Sequence, residues 1–146
     1  MHRRFVATGA VLLALVVMVT GPAAWAGGQP FHTTLEGENE VPVTGDLDGT
    51  GSASLTLNRG TGEVCWDISV QGITLPALAA HIHVAPVGVP GPIVVTLSPP
   101  GADGTSSGCT TADRDLVKAI AKDPSAYYVN VHNVDFPGGA LRGQLG

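Results

Sequence analysis

The sequence predicts an all-β domain: an antiparallel Greek-key β-sandwich or flattened barrel of about seven strands, with one short helix. Three observations carry that expectation. Apolar and polar residues alternate in several short runs, the period of half-buried strands. Twenty glycines and eleven prolines interrupt those runs too often for a helical bundle. Two of the runs flank Asn58-Arg59-Gly60-Thr61-Gly62, a glycine-bearing turn of hairpin length. With 44% hydrophobic and 13% charged residues in a chain of 146, the sequence is too apolar to stay disordered. Seven Lys/Arg stand against twelve Asp/Glu, and the resulting formal charge of -5 argues against a nucleic-acid or anionic-membrane surface.

The chain begins with the pattern of a secretory signal. His2-Arg3-Arg4 is a basic start, Phe5 to Thr20 is apolar, and Ala24-Trp25-Ala26 offers the small residues an export peptidase needs. An apolar stretch of ~16 residues is short for a spanning helix, which wants about 20. The expectation is therefore a signal peptide over residues 1–26 and a single exported domain over 27–146, secreted or otherwise extracytoplasmic, with no membrane attachment after cleavage.

Within that domain, Phe31 to Leu35 reads as a first strand, followed by a loop holding Glu36, Glu38 and Glu40. Ala53, Leu55 and Leu57 alternate with Ser52, Ser54 and Thr56; Val64, Trp66, Ile68 and Val70 alternate with Cys65, Asp67 and Ser69. This is the hairpin, and it directs Trp66 into the core with Cys65 on the opposite face or near an edge. Ala79 to Val84 and Pro92 to Leu97 are apolar runs separated by the irregular Ala85-Pro86-Val87-Gly88-Val89-Pro90-Gly91. Gly101 to Gly108 reads as polar and flexible. Thr111 to Asp115 opens a helix with Leu116, Ile120 and Ala121 on one face, ending near Pro124. Tyr127 to His132 is a strand, Phe136-Pro137-Gly138-Gly139 a turn, and Ala140 to Leu145 a terminal strand. There is no internal repeat or second domain.

Neither Cys65 nor Cys109 belongs to a CxxC pair or sits at metal-ligand spacing from a histidine. In an oxidising compartment they pair as a disulfide, worth about 4 kcal/mol in the chain-entropy account; two separate buried thiols are the alternative.

The histidines are the main chemical signal. Side chains alternate along a strand, so His81 and His83 share one face, and Tyr128, Asn130 and His132 share another. If the two strands pair, three imidazoles converge. His81, His83 and His132 would then hold zinc or copper, with His32 as a candidate fourth ligand, since neutral imidazole suits both metals. Hydrogen bonds to Asn130, Asn133 or backbone carbonyls account for the same pattern without metal.

Other constellations are weaker. Asp46 and Asp48 with Glu36, Glu38 and Glu40 lack the spacing of a calcium loop and read as a solvated acidic segment. There is no G-x-S-x-G nucleophile elbow, no pair of acids in a context that would split their pKa values, and no lysine near Gly88 to Gly91 to make a phosphate cradle. No catalytic residue is assigned.

Four ordered segments carry a family resemblance: Leu35-x-Gly37-x-x-Glu40-Val41-Pro42; Ala80-His81-Ile82-His83 with Gly88 and Gly91-Pro92-Ile93-Val94-Val95; Tyr128-Val129-Asn130-Val131-His132; and Phe136-Pro137-Gly138-Gly139 with Arg142-Gly143-Gln144-Leu145. Together, over about residues 31 to 145, they resemble the CHRD domain. The resemblance implies an extracellular all-β domain, found singly in exported bacterial proteins and in tandem in chordin, an antagonist of bone morphogenetic proteins. It brings no catalytic residue set. The cysteine-rich modules through which chordin grips growth factors are absent here, so growth-factor binding does not transfer. The His-x-His strand and glycine loop are also similar, more loosely, to Cu/Zn superoxide dismutase, whose full ligand set is not evident in this sequence.

Gly88, Gly91 and Gly138-Gly139 permit the turns that end the histidine-bearing strands, shaping one rim. Arg142 is the basic residue near the terminal strand, and the expectation is a rim ion pair with Glu38, Glu40 or Asp135. Two functions follow. One is a non-enzymatic exported binding or structural module, whose polar rim of His81, His83, Asn130, His132 and Arg142 meets an extracellular protein, glycan or envelope component and needs no cofactor. The other is a copper- or zinc-binding protein, distantly dismutase-like, using His81, His83 and His132.

Overall fold

The structure, a computed structural model, describes residues 28–146. The expected signal peptide lies outside the described residues. Among those described, no helix is long and apolar enough to cross a membrane.

Eight strands among the described residues form one sheet: β1 (Gln29–Glu36), β2 (Thr50–Asn58), β3 (Glu63–Gln71), β4 (Ala79–Val84), β5 (Ile93–Leu97), β6 (Thr105–Thr111), β7 (Tyr127–His132) and β8 (Leu141–Gln144). An α-helix, α1 (Arg114–Lys122), lies between β6 and β7. The spatial order is β5-β4-β7-β8-β1-β2-β3-β6, and every neighbouring pair is antiparallel. The sheet curls into a nearly closed barrel. Its seam lies between β5 and β6, where the Ser106 hydroxyl donates to Ser98 O at 2.6 Å. Counted across that seam the order is β3-β6-β5-β4, so the first of four consecutive strands lies beside the last, as in a Greek key.

The hairpin forms as its pattern predicts. Leu55 faces Trp66 and Ala53 faces Ile68, so the alternating apolar residues of β2 and β3 point together into the barrel. The turn closes because Asn58 Oδ1 accepts from the backbone N–H of Gly60 and Thr61 at 3.0 and 3.2 Å, while Gly62 takes a φ of +81° that a side chain would resist. Leu35, Ile82, Val129, Val131 and Leu141 complete the core from the other strands. Asp113 caps α1 by accepting from Asp115 N at 2.8 Å and Leu116 N at 3.1 Å, and Val117, Ile120 and Ala121 turn inward. Leu116, expected on the buried face, is only partly covered at its margin.

The strand count exceeds the expected seven because β6 forms within the stretch that reads as flexible. Its inward positions are Ser106, Gly108 and Thr110, so it carries no apolar alternation to detect. The Trp66 indole occupies the space instead. A Cβ on Gly108 would stand 2.8 Å from the ring, and the indole N–H donates to Ser106 Oγ at 3.1 Å. On the outer face Cys65 and Cys109 are direct cross-strand partners joined by the expected disulfide. Backbone pairing with β3 and this covalent bond hold β6, not side-chain burial.

The opposite side of the barrel has a second, polar layer. Ala80, Ile82, Val129 and Val131 of β4 and β7 face the apolar core; their alternates His81, His83, Tyr128, Asn130 and His132 face outward, beside Arg142 of β8. An outward face would ordinarily be wet. Here the loops around residues 37–46, 85–92 and 133–140 fold over it, leaving Arg142 and Asn130 each 2% exposed. Burying so many polar groups requires that they satisfy one another.

Candidate metal centre

Strand pairing decides whether the histidines meet, and it brings three together. On β4 and β7, His81 lies directly opposite Asn130, His83 opposite Tyr128, and Ala79 opposite His132. His81, His83 and His132 therefore surround Asn130 on one face. Each offers a ring nitrogen, and the three nitrogens lie within 4.8 Å of one another. His81 Nδ1 and His132 Nε2 stand 3.2 Å apart. Two nitrogens bound to one tetrahedral ion at about 2 Å would be separated by about 3.3 Å, so this pair already has ligand spacing.

Backbone carbonyls fix the tautomers. His132 Nδ1 is 3.0 Å from Pro137 O and His83 Nδ1 is 2.8 Å from Gly91 O. A carbonyl only accepts, so each Nδ1 carries the proton and, in a neutral ring, each Nε2 keeps its lone pair for the cluster. Donation of the second ring N–H to a carbonyl is the usual support of metal-binding imidazole. The glycine- and proline-rich loops thus supply the carbonyls that orient the rings.

Electrostatics favour neutral imidazoles at two of the three positions. Burial lowers the pKa of His81, and the neighbouring His132 and His83 lower it further, against a hydrogen bond to Asn130 that raises it. Burial likewise lowers the pKa of His132, opposed by its Pro137 hydrogen bond. His83 is nearly covered while His81 and His132 are half-buried, so the cluster meets solvent on one side.

The candidate fourth ligand does not join. His32 lies on β1, where its Nδ1 bonds Ser54 Oγ at 2.9 Å, outside the group of converging nitrogens. Asn133, a proposed partner for the rings, instead accepts from Phe136 N at 2.8 Å.

Arg142 departs from the expected rim ion pair. It is buried, donates to Val89 O at 3.1 Å, Pro86 O at 3.0 Å and Gln144 Oε1 at 3.3 Å, and lies over the Tyr128 ring. Asp135 accepts from the Thr74 hydroxyl instead. The one ion pair among the described residues, Lys118 with Asp115, is exposed on α1. The reason is geometric: Arg142 sits in mid-strand under the 85–92 loop, where the Pro86 and Val89 carbonyls accept from its guanidinium in place of a carboxylate.

Glu40 also departs from the solvated acidic segment. Its carboxyl is buried against Gly139, where any Cβ would come within 2.4 Å of it. Burial raises its pKa to about 7, opposed by the Arg142 charge and by hydrogen bonds from Val41 and Asn130. Tyr128 is a polar-layer residue to which sequence reasoning gives no role, and Glu40 reads there only as a solvated acid or a rim partner of Arg142. Tyr128 was findable, because it shares the period of Asn130 and His132.

No curated protein matches the chain. The CHRD domain matches residues 31–145, which include every strand but the first two residues of β1 and all the residues of the polar layer. By that match over most of its length, the chain belongs to the CHRD domain family.

Proposed function

We propose that this CHRD domain is an exported metal-binding protein that holds one zinc or copper ion on His81, His83 and His132. The observation that carries the reading is the convergence of three imidazole nitrogens within 4.8 Å, two of the rings having Nδ1–H committed to a backbone carbonyl. The disulfide between Cys65 and Cys109 fits an oxidising, extracytoplasmic setting. The partner-binding alternative draws less support, since His83, Asn130 and Arg142 are buried and only His81 and His132 of the rim residues offer surface to a protein, glycan or envelope component.

The test is metal stoichiometry with a stability readout. Purified protein, stripped with chelator and reloaded separately with zinc and copper, should retain one equivalent of one of them and melt at a higher temperature. The His81→Ala, His83→Ala double variant should lose both effects. Sub-stoichiometric metal with an unchanged melting temperature in the wild-type protein would reject the reading.

A further inference from the structure

We infer that the Asn130 side-chain oxygen is the fourth ligand of the proposed ion, so that three imidazoles and one amide form a closed centre selective for a divalent cation. This rests on the metal-binding reading above and deepens it.

Position is the first argument. Asn130 pairs with His81 across the β4–β7 ladder, lies diagonal to His83 and stands two residues before His132 on its own strand, so its side chain rises at the middle of the three rings. It is 2% exposed and cannot turn to solvent.

Lone-pair accounting is the second. His83 gives its Nδ1–H to Gly91 O, so Nε2 of the neutral ring presents a lone pair. What it faces, 3.0 Å away, is Asn130 Oδ1, also an acceptor. Two acceptors at hydrogen-bond distance with no hydrogen between them repel, and a cation bound by both removes the repulsion. The side-chain oxygen of Asn130, not its NH2 group, is the atom turned toward His83. Two ligand-to-ligand separations of tetrahedral size are then present: 3.2 Å between His81 and His132, and 3.0 Å between His83 and Asn130.

The chemistry of the fourth donor sets the preference. A neutral amide oxygen is a hard ligand that suits Zn(II) or Cu(II); Cu(I), which favours thiolate and thioether, gains little from it.

Three measurements test this with zinc and cobalt(II) as probes. In wild-type protein labelled with carbon-13, the Asn130 side-chain carbonyl resonance should move on addition of one equivalent of zinc. In Asn130→Asp, where the amide oxygen becomes a carboxylate, zinc should bind at least about tenfold tighter, and the visible bands of the cobalt(II) form should shift. A residue that only orients His83 would leave the cobalt bands in place. One equivalent of bound zinc with an unmoved Asn130 carbonyl overturns this inference and leaves the three-histidine site standing; no zinc bound by the wild-type protein overturns both. If Asn130→Asp fails to fold, the wild-type carbonyl resonance decides alone.

Discussion

The guanidinium carbon of Arg142 stands 3.5 Å from the centre of the Tyr128 ring, and the His83 imidazole stacks on the same ring, 4.7 Å centre to centre and within 7° of parallel. Tyr128 belongs to β7, between β8 and β4, so the phenol ring is sandwiched between cation and imidazole. The Tyr128 hydroxyl accepts from Gly91 N at 3.2 Å, and Gly91 O accepts from the His83 Nδ1–H. One stack therefore ties Arg142, the 85–92 loop and a candidate ligand together.

Arg142→Lys should lose this arrangement although it keeps the charge. An ammonium cannot lie flat on the ring and still donate to both Val89 O and Pro86 O. The expected loss is about 2–4 kcal/mol in urea unfolding, because a buried cation and two partly buried carbonyls are left poorly partnered. Amide exchange in the 85–92 loop should quicken at the same time. Unchanged stability and unchanged exchange would contradict the buried role.

Removing the disulfide should loosen the seam. The Cys65→Ser, Cys109→Ser double variant opens a loop of 44 residues, for which the chain-entropy account gives about 4 kcal/mol. Since β6 has little apolar anchorage, exchange should rise first along Ser106 to Thr110. A uniform rise across the whole barrel would argue against a locally pinned strand.

Gly108→Ala should be costly despite its ordinary backbone angles. The added methyl would stand 2.8 Å from Trp66 Cζ2 in a filled core, so the ring must shift, at about 1–3 kcal/mol. Denaturation and Trp66 fluorescence measure the two consequences together. Wild-type stability with an unmoved emission maximum would refute the packing.

Glu40 gives the fold a pH dependence of defined sign. Its folded pKa of about 7 lies above the ordinary 4.5, so the folded state holds this proton more tightly than the unfolded chain. The contribution is fully present below pH 4.5 and is lost as pH rises through 7. Glu40→Gln lacks that dependence. In metal-free protein it should gain about 1–3 kcal/mol on the wild type between about pH 5 and about pH 8. Parallel stability curves over that range would refute the buried, proton-holding carboxyl.

Much of this was legible in the residues. The β2–β3 hairpin, α1, β7 and β8 follow from alternation, caps and turns, and the shared faces of His81 with His83 and of Asn130 with His132 follow from the strand period. What alternation could not reveal was β6, because an indole from the neighbouring strand fills the space that its own side chains would have shown. Nor could it reveal Arg142. A lone arginine among strand residues reads as surface, and only the return of the 85–92 loop over β8 makes it interior. Packing against Gly139 separates Glu40 from the less buried Glu36 and Glu38, with which it shares a local composition.

The polar layer is roofed by irregular chain and floored by the barrel wall, and these two parts answer to different constraints. Changing Gly138, where an added methyl would meet nothing within 4 Å, or the exposed Val87 alters the roof while the floor keeps its register. Access to the three imidazoles can thus be altered through the roof without disturbing the strand framework beneath it.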